Sequence, residues 1–306
     1  FIFLRRKLFQ WHLLKTNYFS APVIVVGNIT VGGTGKTPVV IALARFLKEK
    51  GWRPGIVSRG YGGKIKHFPY QVHQNSNARE VGDEPLLIVR HTDCPTVIDP
   101  NRSRGVRALL KRAHCNLVIS DDGLQHSSLG RNIEIIVVDG ERRFGNNFCL
   151  PAGPLREPTS RLNSVDFVIS KENPLRHEFK LSLIPDHFYQ LIQPKIKKTL
   201  DYFHGKTLHA VAGIGNPDQF FNSLRKLNLK IIEHPFPDHY LFKPHDFSYG
   251  SDAIIIMTEK DAVKCVGFVD ARLWCLNTKT ELDTNLLNTV LKRVTTLNNN
   301  LKSSSG

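Results

Sequence analysis

The chain has 306 residues, of which 41% are hydrophobic and 23% are charged, as in ordinary soluble globular proteins, and its length predicts two domains. Lys and Arg number 42 against 27 Asp and Glu, so the formal charge of +15 predicts an anionic partner: nucleic acid, acidic lipid headgroups or a phosphorylated substrate. The five cysteines form no C-x-x-C pair, which argues against a disulfide framework or a zinc ribbon and favours a reducing compartment.

Residues 1–19, FIFLRRKLFQWHLLKTNYF, are unusually apolar, and their charged side chains are all basic. The segment lacks the pattern of a signal peptide because the charges fall inside the apolar run, and it is too interrupted to span a membrane. Two interpretations remain open. It forms a helix packed on the protein's own core, or a basic helix at the surface of an anionic membrane with Trp11 in the headgroup layer.

Short β-branched runs then alternate with helical patterns, which predicts buried parallel strands joined by helices. The runs are residues 23–26, 55–58, 96–98, 116–120, 134–138 and 166–170. We therefore expect an α/β fold with a doubly wound, mostly parallel sheet over residues 20–185. Ligands of such folds collect at the carboxyl ends of the strands.

The first strand runs directly into a glycine-rich loop that is followed by a helical pattern. Phosphate-binding loops need glycines so that backbone N–H groups converge on oxygens, a Lys for the β and γ phosphates, and a hydroxyl for Mg²⁺. Thr30 stands where the strict P-loop pattern has its first Gly, but the strand–loop–helix context is right. The predicted nucleotide-binding residues are Thr30, Val31, Gly32, Gly33, Thr34, Gly35, Lys36 and Thr37.

Paired acids follow the strand at residues 116–120, where P-loop enzymes place a Mg²⁺ carboxylate. We expect Asp122 to be the main metal carboxylate, with Asp121 beside it and the Thr37 hydroxyl as a further ligand. Asp139 ends the next strand and is a rival by the same logic. A capping role for any of these carboxylates is the structural alternative.

Other motifs are ambiguous when judged by spacing alone. Arg59 follows a strand end in SRGYGG and could contact phosphate oxygens, although a plain glycine-rich turn explains the motif as well. Asp83 of GDEP heads a helical pattern, where an acid usually serves as a cap. His239 of FPDHY reads as an ordinary loop histidine.

Residues 178–200 lose periodicity, which predicts a connection between domains. A second series of strands and helices follows, and we expect a smaller α/β domain over residues 186–296. The tail at 297–306 is rich in Asn, Ser and Lys and is predicted to be flexible.

Seven ordered motifs between residues 27 and 264 closely resemble the tetraacyldisaccharide 4'-kinase family. They are GNITVGGTGKTP, SRGYGG, VGDEP, DDGLQH, LPAGPLREP, FPDHY and TEKDAVK. The resemblance implies a kinase of Gram-negative bacteria that uses ATP and Mg²⁺ to phosphorylate the 4'-hydroxyl of a tetraacylated disaccharide 1-phosphate. It implies action at the cytoplasmic face of the inner membrane, as a peripheral protein that we expect to be a monomer.

The resemblance also assigns roles to residues that spacing left ambiguous. It implies that Asp83 is the catalytic base, that His239 assists it, and that the second domain acts as a lid bringing the two together. Lys36 is expected to act in catalysis as well as in binding. Further candidate site residues are Arg59, Gln125, Arg156 and Glu157. The resemblance favours the membrane interpretation of residues 1–19. The acyl chains of the implied substrate leave a bilayer only at a high free-energy cost, so the enzyme must bind at the membrane surface.

The alternative function is a switch-type P-loop NTPase at the membrane. Its deviant loops carry Lys before the Gly-Gly pair, where this chain has Val31, and neither SKEN nor TEKD matches the guanine motif N-K-x-D. A nucleic-acid-dependent ATPase is a further rival, suggested by charge alone. No run of basic residues interleaved with aromatics lies beyond residue 19, so we expect no nucleic-acid partner.

Overall fold

A computed structural model describes residues 8–9, 11 and 13–303. Nine residues of the helix expected over residues 1–19, namely 1–7, 10 and 12, lie outside the described residues, and Leu8 and Phe9 are helical. Residues 13–19 are not helical. The Asn17 N–H donates to Ser128 O at 2.9 Å and the Gly130 N–H donates to Asn17 O at 2.7 Å, so this segment is attached to the loop that follows the DDGLQH motif.

The first half of the chain alternates strands and helices as predicted. Its elements are β1 (Val23–Gly27), α1 (Lys36–Glu49), β2 (Pro54–Ser58), β3 (Tyr70–Val72), α2 (Ala78–Val81), α3 (Asp83–Thr92), β4 (Thr96–Ile98), α4 (Arg102–Arg112), β5 (Leu117–Asp121), β6 (Ile133–Asp139), a 3₁₀ turn (Thr159–Ser164) and β7 (Phe167–Lys171). We call residues 20–178 the P-loop unit.

The second half continues the same alternation. Its elements are β8 (Phe179–Gln190), β9 (Lys197–Lys198), β10 (Thr207–Ala212), α5 (Pro217–Lys226), β11 (Lys230–Pro235), a 3₁₀ turn (Pro244–Phe247), β12 (Ile254–Thr258), α6 (Glu259–Ala262), β13 (Leu273–Leu282) and α7 (Thr284–Ser303). We call residues 191–272 the lid unit, after the role that the family resemblance implies for them.

Within the described residues the strands form one sheet of 13 strands, in the order β11-β10-β12-β13-β8-β7-β6-β1-β5-β2-β4-β3, with β9 beside β8. Strand β1 lies at the centre of the P-loop unit, parallel to both β5 and β6. Antiparallel pairing occurs where β3 meets β4, where β13 meets β8 and where β9 meets β8. The predicted α/β class with a mostly parallel sheet is confirmed.

Helices cover both faces of β1, as a doubly wound sheet requires. Ile24 and Val26 face a core that includes α1 and α7, whereas Val23 and Val25 face a core that includes α4. Successive side chains of a strand point to opposite faces, so one apolar run contributes to both cores.

The junction between the two units differs from the expectation. Residues 179–190 form the long strand β8 rather than an irregular connection, and β8 crosses the expected boundary at residue 185. It pairs with β7 on one side and β13 on the other, with a register shift beside Pro185. Only Leu181 and Phe188 of this strand are fully buried, which is why the sequence shows no clear apolar alternation.

The last helix returns to the P-loop unit. Leu286, Val290 and Val294 of α7 are fully buried in the core that also contains Val40 and Leu43 of α1. This packing extends the helix to Ser303, into the segment for which the composition predicts a flexible tail. No helix among the described residues has both the length and the apolar character needed to cross a membrane.

Candidate active site

The glycine-rich loop has the geometry of a phosphate cradle. Gly32 and Gly35 have φ angles of 90° and 91°, a region that residues with a Cβ rarely adopt. Helix α1 begins at Lys36 directly after Gly35, so its free N–H groups and the positive end of its dipole face the space that the loop encloses. Thr34 is buried, and its hydroxyl oxygen has no hydrogen-bond partner within the described residues. These features fit the binding of phosphate oxygens.

The LPAGPLREP segment supports this loop from outside. The Val31 N–H donates to Pro154 O at 2.8 Å and the Arg156 N–H donates to Ile29 O at 2.6 Å. A β-bridge joins Thr30 to Leu155. These backbone contacts fix the loop's path where Thr30 replaces the usual first glycine. Val31 itself is partly exposed.

Two carboxylates lie at the end of β5, as predicted. Asp122 lies 3.5 Å from Lys36 Nζ and accepts a hydrogen bond from Arg156 Nη1 at 3.1 Å. Burial opposes ionisation, but the charges of Lys36 and Arg156 lower the pKa of Asp122 below its ordinary value. Asp122 is therefore ionised at neutral pH and joins the β5 end to the phosphate loop.

Asp121 is fully buried beside it and accepts a hydrogen bond from Ser58 Oγ at 3.2 Å. Burial and the charges of Glu84 and Asp122 raise the pKa of Asp121 to about 7. Its Oδ1 atom has no hydrogen-bond partner within the described residues. A buried carboxylate oxygen without a donor is an arrangement that a nearby cation would stabilise.

These groups fit Mg²⁺ when nucleotide is bound. Asp121, Asp122 and the Thr37 hydroxyl are oxygen donors of the kind that the ion prefers, and Mg²⁺ usually keeps waters and substrate phosphates as its other ligands. Accordingly, no group of three or more His, Cys, Asp or Glu residues in the described ranges is arranged to hold a metal ion by itself.

The rival carboxylate, Asp139, has local partners. Its Oδ1 accepts the N–H groups of Glu141 and Arg142, both at 3.1 Å, and its Oδ2 lies 3.4 Å from Arg142 Nε. Arg142 in turn donates to Gly33 O at 3.2 Å. Asp139 thus caps the turn after β6 and holds Arg142 over the phosphate loop.

The structure brings Asp83 and His239 together across 156 residues of sequence. His239 Nδ1 lies 2.9 Å from Asp83 Oδ2 and 3.2 Å from Oδ1. Asp83 begins α3 and is 4% exposed, and the ring of Tyr61 lies 5.0 Å from the His239 ring. His239 has a φ of 59°, a left-handed conformation that costs energy for most residues and is common at functional sites.

Each member of this pair stabilises the charge of the other. Burial would raise the pKa of Asp83, but the hydrogen bond from His239 and the charge of Lys260 lower it. The same hydrogen bond raises the pKa of His239, although burial and Lys260 oppose the rise. Asp83 is consequently an ionised, buried carboxylate with a fixed orientation, which is the state a base requires before it accepts a proton.

The other candidates occupy different surroundings. Gln125 donates to Glu157 Oε1 at 2.8 Å and to Asn28 O at 3.1 Å, and Glu157 lies 3.4 Å from Arg161 Nε. Gln125 and Glu157 therefore connect the DDGLQH and LPAGPLREP loops behind the phosphate loop. Arg59 is exposed and lines a surface cavity together with Tyr61 and Glu80.

The lid unit lies directly on the phosphate loop. A Cβ added to Gly215 would stand 3.2 Å from Gly33 N and 3.1 Å from Asp238 Oδ2. Lys171, at the end of β7, contacts Gln219 of α5 through its ammonium. The residue pair Asp238-His239 is thereby held next to the nucleotide loop.

Several residues of the site were not predicted. The sequence GIGNP at residues 213–217, which contains Gly215, has a strand–turn–helix pattern, but nothing in it indicates a contact with the phosphate loop. No sequence pattern indicates a role for Arg102, which is 1% exposed and donates to the carbonyl oxygens of Asp99, Asp121 and Asp122. It fixes the end of β5.

Comparisons with known proteins show which family the chain belongs to. A family model described as tetraacyldisaccharide-1-P 4'-kinase matches residues 1–296. The tetraacyldisaccharide 4'-kinase of Coxiella burnetii strain RSA 331 is 50% identical over 274 residues, covering 90% of this chain and 81% of the relative. That of Methylobacillus flagellatus is 48% identical over 298 residues, covering 97% and 89%.

A solved structure shares the fold. The crystal structure of LpxK from Aquifex aeolicus in complex with ATP superposes with a TM-score of 0.79 at 28% identity, covering 96% of this chain and 95% of the other. Since the family model spans nearly the whole chain and the relatives are about half identical over most of it, this chain belongs to the tetraacyldisaccharide-1-P 4'-kinase family.

Proposed function

We propose that this protein transfers the γ-phosphoryl group of ATP to the 4'-hydroxyl of a tetraacyldisaccharide 1-phosphate, a step of lipid A biosynthesis that yields lipid IVA. The observation that supports this most is the Asp83–His239 contact beside the phosphate loop. A site for hydrolysis or switching needs the loop and the β5 carboxylates. A buried carboxylate oriented by a histidine of a second unit is the additional part that an acceptor hydroxyl requires.

In the proposed mechanism the N–H groups of residues 32–37 and the Lys36 ammonium bind the phosphates. Asp83 accepts the proton of the acceptor hydroxyl, and His239 keeps the carboxylate oriented. The transition state of phosphoryl transfer is largely loose, so positioning contributes more than the strength of the base. Mg²⁺ bound by Asp122, Asp121 and Thr37 would neutralise charge on the phosphates. The lid unit, packed on Gly33, excludes water.

Transfer of label tests this function. Purified protein is incubated with ATP labelled at the γ-phosphate and the disaccharide 1-phosphate, and the labelled position on the sugar is determined. We expect label at the 4'-oxygen, no transfer by Lys36→Met, and no change in turnover when DNA or RNA is added. Hydrolysis of ATP without any labelled lipid would contradict the proposal.

We further propose that the protein is a monomer that binds the cytoplasmic surface of the inner membrane through residues 1–19. In the described part of this segment, Trp11, Leu13 and Tyr18 are 62%, 68% and 75% exposed. Moving water-exposed apolar and aromatic side chains into a lipid interface lowers the free energy. A chain lacking residues 1–15 should sediment less with anionic vesicles while it keeps its rate on detergent-dispersed substrate. Equal sedimentation of the two forms would refute this proposal.

A further inference from the structure

One lysine of the lid unit faces the proposed base and its neighbours. Lys260 lies on α6, the short helix that follows β12 and is capped by Thr258. Its Nζ atom lies 3.1 Å from Glu84 Oε1, 3.7 Å from Asp238 Oδ1 and 4.0 Å from Asp83 Oδ2. A single ammonium therefore contacts three carboxylates, two from α3 of the P-loop unit and one from the loop that contains His239.

The Lys260 ammonium reduces the electrostatic repulsion among these three carboxylates. Three carboxylates within 4 Å of one point repel one another, and the Lys260 side chain is only 21% exposed, so water screens the repulsion incompletely. Lys264 is the next cation along the chain, but it is bound to Asp261 at 2.7 Å and to Gly213 O at 3.2 Å. Lys260 is thus the cation placed directly among the three carboxylates.

We propose that Lys260 is a positioning residue for phosphoryl transfer: it holds Asp83 ionised and against His239, and does so only when the lid unit is closed on α3. This inference rests on the proposed kinase function. Opening the lid would remove Lys260, Asp238 and His239 from Asp83 together, because all three belong to the lid unit. The charge distribution that makes Asp83 a base would then be complete only in the closed state.

The expected pH effect follows from the groups around the pair. Asp83 faces His239, Lys260 and Lys264 from the lid unit and Glu84 from its own helix; Lys260 also faces Asp238. The positive charge of Lys260 lowers the pKa of Asp83 and of His239. Removing that charge raises both pKa values. The acid limb of kcat/KM, which reports ionisation of Asp83, should therefore move to higher pH.

The experiment compares Lys260→Met, Lys260→Arg and Lys279→Met in the full chain. Methionine keeps the apolar stem and removes the charge, whereas arginine keeps the charge. Lys279 pairs with Glu281 at 3.0 Å on an exposed part of β13, so its replacement is the same chemical change away from the site. Label transfer to the disaccharide is measured from pH 5 to 9, together with ATP affinity and the unfolding temperature.

We expect Lys260→Met to lower kcat/KM by about 10- to 100-fold and to move its acid limb up by about one pH unit. Lys260→Arg should recover most of both, Lys279→Met should match the wild type, and ATP affinity should not change. An acid limb that stays in place in Lys260→Met, or equal losses in the Met and Arg variants, would overturn the proposal. Absence of transfer by the wild type would instead refute the kinase function itself.

Discussion

The contact between His239 and Asp83 can be tested with two replacements of His239 that are nearly isosteric with each other. His239 has a φ of 59°, and Asn and Asp are the side chains that best tolerate this conformation. His239→Asn keeps a donor near the position of Nδ1, whereas His239→Asp places a second carboxylate against Asp83. The two variants therefore have the same backbone cost and opposite effects on the charge of the base.

The magnitude follows from the geometry. A hydrogen bond of 2.9 Å to the buried Asp83 carboxylate contributes about 1.5–3 kcal/mol, which corresponds to about 10- to 150-fold in rate. We expect His239→Asn to lose about tenfold in kcat/KM or less. His239→Asp should lose about 100-fold or more, since it also adds like-charge repulsion.

The pH profile supplies the second readout. In the proposed mechanism Asp83 acts in its ionised form, so activity should fall as the pH drops through its pKa. The hydrogen bond from His239 lowers that pKa, and its replacement by a carboxylate must raise it. The acid limb of His239→Asp should lie above that of His239→Asn. Equal kcat/KM values and coincident acid limbs in the two folded variants would show that the side chain at position 239 does not control the charge of Asp83.

Two further predictions concern the packing that holds the site. Gly215→Ala should lower kcat about tenfold, because its Cβ would stand 3.1 Å from Asp238 Oδ2 and 3.2 Å from Gly33 N and these neighbours must shift to accommodate it; an unchanged kcat in transfer assays would contradict this. Val290→Ala should cost about 2 kcal/mol in the free energy of unfolding, whereas Val269→Ala, at an 89% exposed position, should cost almost nothing; similar denaturant midpoints would show that α7 does not stabilise the P-loop unit.

Local patterns allowed the phosphate loop and the central strands to be predicted. The strand, loop and helix of residues 23–49 are adjacent in sequence, and their spacing alone determines the chemistry of the loop. Asp122 beside Lys36 was predictable for a related reason, since the carboxyl ends of neighbouring parallel strands meet at one edge of the sheet.

The contact between Asp83 and His239 and the junction of the two units could not be predicted in this way. Asp83 reads as a helix cap and His239 as a loop histidine, because their contact depends on how two units pack, which no local pattern encodes. Their roles came only from the family resemblance. Strand β8 could not be predicted for a different reason. Its pairing with β7 and β13 stabilises it while most of its side chains stay partly exposed, so its sequence lacks apolar alternation.

In the proposed mechanism Asp83 acts on the acceptor and not on the nucleotide. Asp83→Asn, which keeps the size of the side chain and removes its basicity, tests this most directly when ATP affinity and label transfer are measured on the same preparation. We predict wild-type ATP affinity and a fall of about 100- to 10,000-fold in transfer to the disaccharide. Transfer within a few-fold of the wild type, or loss of ATP binding together with transfer, would show that Asp83 is not the base for the acceptor hydroxyl.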